Sequence, residues 1–188
     1  MNAPRHSAQT AVAFERQALV GRWPVVPALC GATFEVRDKL VATVRGSMPI
    51  VDGAALVSAD GEVADVWVDL SVAGIATGNN HRDRDLQRRA FLDAVSYPTI
   101  RVAAQQAAPT PVGWTATAVV TARGCQAPVD LTVEAVAWSS TESSDEVRVH
   151  VTGRLDRKPL GIKAPTFIVG RYLDLEADLT FRREMDCD

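Results

Sequence analysis

The sequence predicts an all-β protein, an antiparallel sheet of about eight strands with one buried face. Three observations carry this. Most of the chain alternates apolar and polar residues with period two, as half-buried strands do. The alternating runs are joined by short connections rich in Gly, Pro, Asp and Ser, such as ADGE, APTPVG and TESSDE. Only the opening stretch reads convincingly as a helical interruption.

The stretch up to about Leu19 is an N-terminal arm or a short helix, and one domain fills 20–188. FEVRD, VATVRGSM and AALVSA are the first strands, and DVWVDLSV places Val66, Val68, Leu70 and Val72 on one side. Then TGNNHRDRDLQRRAFLDAVSYPTI breaks the alternation before IRVAA and WTATAVVTA resume it. VDLTVEAVAW sets Val129, Leu131, Val133 and Ala135 against Asp130, Thr132 and Glu134. EVRVHVTGRL sets Val147, Val149, Val151 and Leu155 against Arg148, His150, Thr152 and Arg154. RYLDLEADLTF is the clearest run, with Leu173, Leu175, Ala177, Leu179 and Phe181 on one face. A one-faced antiparallel sheet either packs on a second sheet or closes on itself. Its inward set, rich in Val and Ala and poor in aromatics, leaves apolar space in a closed barrel; composition alone leaves a filled sandwich open as well.

The chain has 188 residues, a net charge of −3 and a pI near 5.6. That size suits one domain with a real core, and no global basic field draws it to nucleic acid or anionic lipid. Cys30, Cys125 and Cys187 are an odd, scattered set without a CxxC pair, which argues against a disulfide framework and a zinc site. The opening residues lack an unbroken apolar core, and no window approaches a span of about 20 apolar residues. A soluble, cytoplasmic protein without stable membrane insertion is therefore expected.

The arginine-rich segment invites sharper readings. His81-Arg82-Asp83 matches a kinase catalytic triplet, but the Gly-rich loop, strand lysine and DFG are missing. His81, Asp83 and Asp85 have a spacing that converges partly on a helix, yet the surrounding arginines oppose a cation, so no metal is expected. Arg82, Arg84, Arg88 and Arg89 are half neutralised by neighbouring aspartates, so nucleic acid is not an expected partner. His6, His81 and His150 are scattered, and no base-activated nucleophile is apparent. Local ion pairs and hydrogen bonds of Arg82, Asp83, Arg84 and Asp85, pinning a short helix to strand ends, are the simpler expectation. Trp23, Trp114, Trp138 and Phe91 are candidates for closing the barrel ends or for plain core packing.

Several blocks resemble one family in order and spacing. They are Gly21-Arg22-Trp23; Gly74-Ile75-Ala76-Thr77-Gly78-Asn79 with Arg84-Asp85-Leu86, Phe91-Leu92-Asp93 and Tyr97-Pro98-Thr99-Ile100; Thr121 to Val129 (TARGCQAPV); and Asp156-Arg157-Lys158-Pro159-Leu160-Gly161. Together they are similar to the signature of the YceI-like family of polyisoprenoid-binding, lipocalin-like proteins, over about residues 20 to 183. The chain departs from that pattern at Val26-Pro27-Ala28-Leu29-Cys30, where relatives often carry Asp, His and Ser, and at Asp85, where His is usual.

The resemblance implies an eight-stranded antiparallel lipocalin-like β-barrel with a short helix near one mouth. Its bore would hold a long amphiphile, such as a polyisoprenoid, an isoprenoid quinone or a fatty-acid derivative, without catalysis and without a cofactor. The expected lining is Phe34, Val36, Val44, Met48, Val66, Val68, Leu70, Ile100, Val102, Val120, Leu131, Val149, Val151, Leu173 and Leu175, with Leu86, Phe91 and Leu92 as the lid. Members are often homodimers, although no patch in this chain demands it. Two other functions stay open: an enzyme acting on such a lipid or quinone through Cys30 or His81, and a filled, ligand-free structural or stress-related interaction protein.

Overall fold

The computed structural model describes residues 19–38, 43–141, 143–162 and 169–184. The expected N-terminal arm, Leu19 apart, lies outside the described residues, as does the expected strand start at Val41. The strands are β1 (Gly21–Pro24), β2 (Gly31–Asp38), β3 (Thr43–Met48), β4 (Ile50–Val57), β5 (Val63–Ser71), β6 (Thr99–Ala104), β7 (Ala108–Thr110), β8 (Gly113–Ala122), β9 (Cys125–Ser140), β10 (Ser144–Asp156) and β11 (Val169–Glu184). The single α-helix among the described residues, α1, spans Asn80–Gln87.

All strand pairings are antiparallel, in the order β1-β4-β5-β6-β8-β9-β10-β11-β2-β3, with β7 beside β8. The expected eight strands are thus eleven segments, because three positions in the wall are each filled by two. Pro49, which has no N–H to give a ladder, separates β3 from β4. A 3₁₀ turn at Pro27–Leu29 separates β1, which pairs β4, from β2, which pairs β3. β6 and β7 both lie between β5 and β8, since Ala107 bridges Val63 and β7 pairs the start of β8. Eight wall positions remain. The ends of the sheet meet where Val25 bridges Phe181 and the Val26 N–H donates to Thr180 O at 2.8 Å. The alternating strands have closed into a barrel, which leaves few free edges.

Local sequence explains the corners. Arg123 and Gly124 both have positive φ, 54° and 73°, the conformation of the two-residue hairpin turn that matches strand twist. Asn79 caps α1, its side-chain oxygen accepting from the His81 and Arg82 N–H groups at 3.0 and 3.1 Å. Across β2 and β3, Phe34 pairs with Gly46, and the ring occupies the place that a Cβ at Gly46 would take. The helix therefore lies in the one long excursion from the sheet, between β5 and β6, where the alternation fails.

Candidate functional site

The inward faces enclose a cavity of about 810 Å³. All eighteen side chains expected to line it do so. The eleven strand residues from Val44 to Val151, the pairs Phe34–Val36 and Leu173–Leu175, and the lid residues Leu86, Phe91 and Leu92 are all on its wall. Small residues make the room: Ala104, Ala116 and Ala118 also line it. The bore is not filled by its own side chains.

One end is sealed. Trp23, 2 % exposed, donates its indole N–H to Leu19 O at 2.6 Å and lies 5.7 Å from the Trp138 ring. Arg183 stacks on Trp23 at 4.5 Å, donates to Val20 O at 2.5 Å, and pairs with Asp145 at 2.6 Å. Trp114, on the cavity wall with Val147 and Phe181, completes this apolar floor.

The other end is where α1 lies, and there the cavity reaches solvent: His81 lines it while its side chain is 80 % exposed. Leu92, 6 % exposed, packs with Met48, Val72 and Ile75, and half-buried Leu86 joins them. The expected pinning is done by hydrogen bonds of Arg82 and Asp83, while no ion pair joins Arg82 or Arg84 to Asp83 or Asp85 among the described residues. Thr77 is the common anchor: its N–H and hydroxyl donate to Asp83 at 3.0 and 2.5 Å, and its hydroxyl and carbonyl oxygens accept from Arg82 at 2.7 Å each. Arg84 donates to Asn80 O, within its own helix. Asp85 instead meets His81 at 3.1 Å and Arg88 at 3.0 Å. At i, i+3 and i+4 those partners share a helix face, whereas residues 82 and 83 do not face 84 and 85 in that way. Arg123, on the β8–β9 turn, braces the segment after the helix through Arg89 O at 3.1 Å.

Arg157 was missed by sequence reasoning. It is 5 % exposed, lines the cavity, and donates to Gly170 O at 2.8 Å and Ile162 O at 3.1 Å. Burial pulls its pKa down, partly offset by Asp156, but a guanidinium stays charged. Ile162 packs on the same cluster as Leu92, which places Arg157 toward the α1 end. The polar side chains on the wall near the helix, Thr77, Asn79, His81, Arg82, Asp85 and Arg157, thus face a floor of tryptophan and aliphatic groups.

Cys30 and His150 stand away from the cavity, and His81 lies at its mouth. Cys30 is off the cavity wall, exchanges hydrogen bonds with the Thr180 backbone, and has its thiol pushed up by burial, away from the reactive thiolate. His81 is engaged with Asp85, and His150 sits on the outer wall 2.8 Å from Asp178. Asp83 turns to Thr77 rather than toward His81 and Asp85, and no group of three His, Cys, Asp or Glu among the described residues could hold a metal.

The fold matches solved structures. The YCEI protein of Campylobacter jejuni superposes with a TM-score of 0.64 at 18% identity, covering 78% of this chain and 88% of that one. A polyisoprenoid binding domain from Saccharophagus degradans gives 0.63 at 10% identity, covering 85% and 97%. BcnA of Burkholderia cenocepacia gives 0.57 at 14%, covering 83% and 98%. No curated protein matches the sequence. The model of the YceI-like domain matches residues 23–181, nearly the whole barrel from Trp23 on its floor to Phe181 at its closing seam, and the chain belongs to that family.

Proposed function

We propose that the barrel binds the apolar tail of a long amphiphile, an isoprenoid or fatty-acyl lipid, and carries or sequesters it without chemical change. The observation that carries this reading is the polarity of the cavity, whose lining is mostly apolar, with His81, Arg82, Asp85 and Arg157 at the α1 end and Glu176 on β11 its charged groups. The tail then lies toward Trp23, and the polar end stays near Arg82 and Arg157. Natural cores leave few voids larger than a water molecule. A pocket of about 810 Å³ is in the range of sites that bind small molecules, roughly 300–1,000 Å³. Tail burial there at about 25 cal/mol per Å² supplies several kcal/mol from a few hundred Å². The likeness of fold to a domain described as polyisoprenoid binding supports an isoprenoid among the candidates. Of the two groups considered for catalysis, Cys30 lies off the cavity wall, with its thiol pushed up by burial, which favours binding over catalysis there; His81 lines the mouth.

Purified full-length protein, extracted into organic solvent and analysed by mass spectrometry, is expected to release a stoichiometric lipid. Protein that releases none, and takes up neither a fluorescent fatty acid nor a polyprenol, overturns the reading.

A further inference from the structure

We propose that the α1 end of the barrel docks on anionic membrane surfaces, so that the mouth opens against the bilayer. This rests on the lipid-binding reading above, because a ligand with little solubility in water must enter the cavity from a lipid phase. The observation beneath it is a surface charge that residue counting hides.

Residues 80 to 97 hold four arginines and three aspartates, nearly balanced. The structure turns two of the aspartates inward. Asp83 is taken up by Thr77, and Asp93, 9 % exposed, accepts from the Ser96 N–H. Asp85 is half-buried and held between His81 and Arg88. The arginines stay outside, apart from Arg82. Arg84, Arg88 and Arg89 are exposed, Arg88 by 71 % of its side chain. Arg84 and Arg88 are four residues apart on one helix face, whereas Arg82 and Leu86 face the cavity. Within the same segment, Val95 is 94 % exposed and Tyr97 39 % exposed. Tyr97 leans on Gly124 of the β8–β9 turn, and Arg123 of that turn holds Arg89 O. The mouth therefore carries a basic rim with an apolar tip, on a chain whose net charge is −3. The complement of that pattern is an anionic headgroup layer with accessible acyl chains.

Flotation with vesicles of phosphatidylcholine alone, and of phosphatidylcholine with one third phosphatidylglycerol, tests this. The protein is expected to float with the anionic vesicles only, and to leave them at about 1 M salt, where the Debye length is ~3 Å. The pair Arg84→Gln and Arg89→Gln removes two cations, each a factor of about five near such a surface, so partition should fall roughly 25-fold. Val95→Asp should lower it further. None of these three residues lines the cavity, so lipid extracted from the variants should be unchanged, which also reports that they fold. Equal binding to both vesicle types, no flotation of the parent protein, or unaltered flotation of the variants overturns the proposal. Flotation by protein that yields no lipid and takes up neither a fluorescent fatty acid nor a polyprenol overturns the lipid-binding reading alone, whereas lipid-loaded protein that ignores both vesicles overturns membrane docking alone.

Discussion

The guanidinium of Arg183 stands 4.5 Å over the ring of Trp23, with its other edge 2.6 Å from the Asp145 carboxylate. A residue near the end of β11 thereby clamps one at the start of β1 and another at the start of β10, across the floor of the barrel. Arg183→Met keeps much of the apolar stem but leaves Asp145, 4 % exposed, with Ser140 as its remaining side-chain hydrogen-bond donor. Breaking one side of a buried pair costs about 3–5 kcal/mol; since Arg183 is partly exposed, a loss of about 2–3 kcal/mol is expected. Urea unfolding measures it. Arg183→Lys should recover less than half, because an ammonium cannot stack on Trp23 and reach Asp145 as a planar fork does. Full recovery by Lys contradicts the clamp.

Two charge networks set opposite pH limits. The Ser140 hydroxyl, then the Arg183 guanidinium, hold the Asp145 carboxyl below its usual range. Its contribution is present above the unfolded pKa of ~3.9 and is lost as pH falls through the lower folded value. The Asp178 carboxylate raises the pKa of His150, with Glu176 and Glu134 adding to it. That contribution is complete below the unfolded value of ~6.5 and is lost as pH rises through the higher folded one. Stability from urea titrations should therefore fall on both sides of a plateau between these limits. Asp145→Asn should flatten the acid limb, and His150→Gln the slope above ~6.5; an unchanged profile in either variant rejects that assignment.

Gly46 controls the space at the mouth. A Cβ there would meet the Phe34 ring at 2.3 Å, so a side chain must drive the ring away into the bore. Gly46→Val should reduce uptake of a fluorescent fatty acid several-fold, while Gly46→Val with Phe34→Ala should restore it. If the single variant binds as the parent does, the ring does not border the occupied part of the cavity.

The barrel wall was legible because alternation records a sheet with one wet face, and most inward residues named on that basis reach the cavity, whereas Val72 and Val129 are buried off its wall. Legibility failed where one residue breaks the period. Arg148 pairs with Ala137 but Val149 with Ala135, so a bulge leaves Val136 without a partner and 56 % exposed. That single insertion flips the phase, putting Trp138 opposite Val147 and on the floor. Pattern counting also divided the strands differently, since the breaks at Pro49, Pro27–Leu29 and Gln105 fall inside continuous wall positions. Arg157 was hidden for another reason. A buried cation held by main-chain carbonyls of Ile162 and Gly170 leaves no periodic trace, because its partners are backbone and so carry no residue identity.

Thr77 decides how firmly the mouth is held. Its hydroxyl joins Arg82 and Asp83 to the segment leaving β5, and it is 9 % exposed. Thr77→Val keeps the shape but removes a donor to one charged group and an acceptor from another, leaving the backbone N–H and carbonyl contacts in place. Losing hydrogen bonds to charged groups costs about 1.5–3 kcal/mol each when the partners stay buried. Because Arg82 and Asp83 are half-buried and regain water, about 1–2 kcal/mol in total is expected. The loss should be local: amide exchange in α1 accelerates while that of β9 and β10 barely changes. A bound fluorescent fatty acid should leave faster, with its entry equally quickened, since the lid gates both directions. Thr77→Ser, which keeps the hydroxyl, should restore both rates. If Ser behaves as Val does, the methyl packing of Thr77 holds α1 and the hydroxyl network does not.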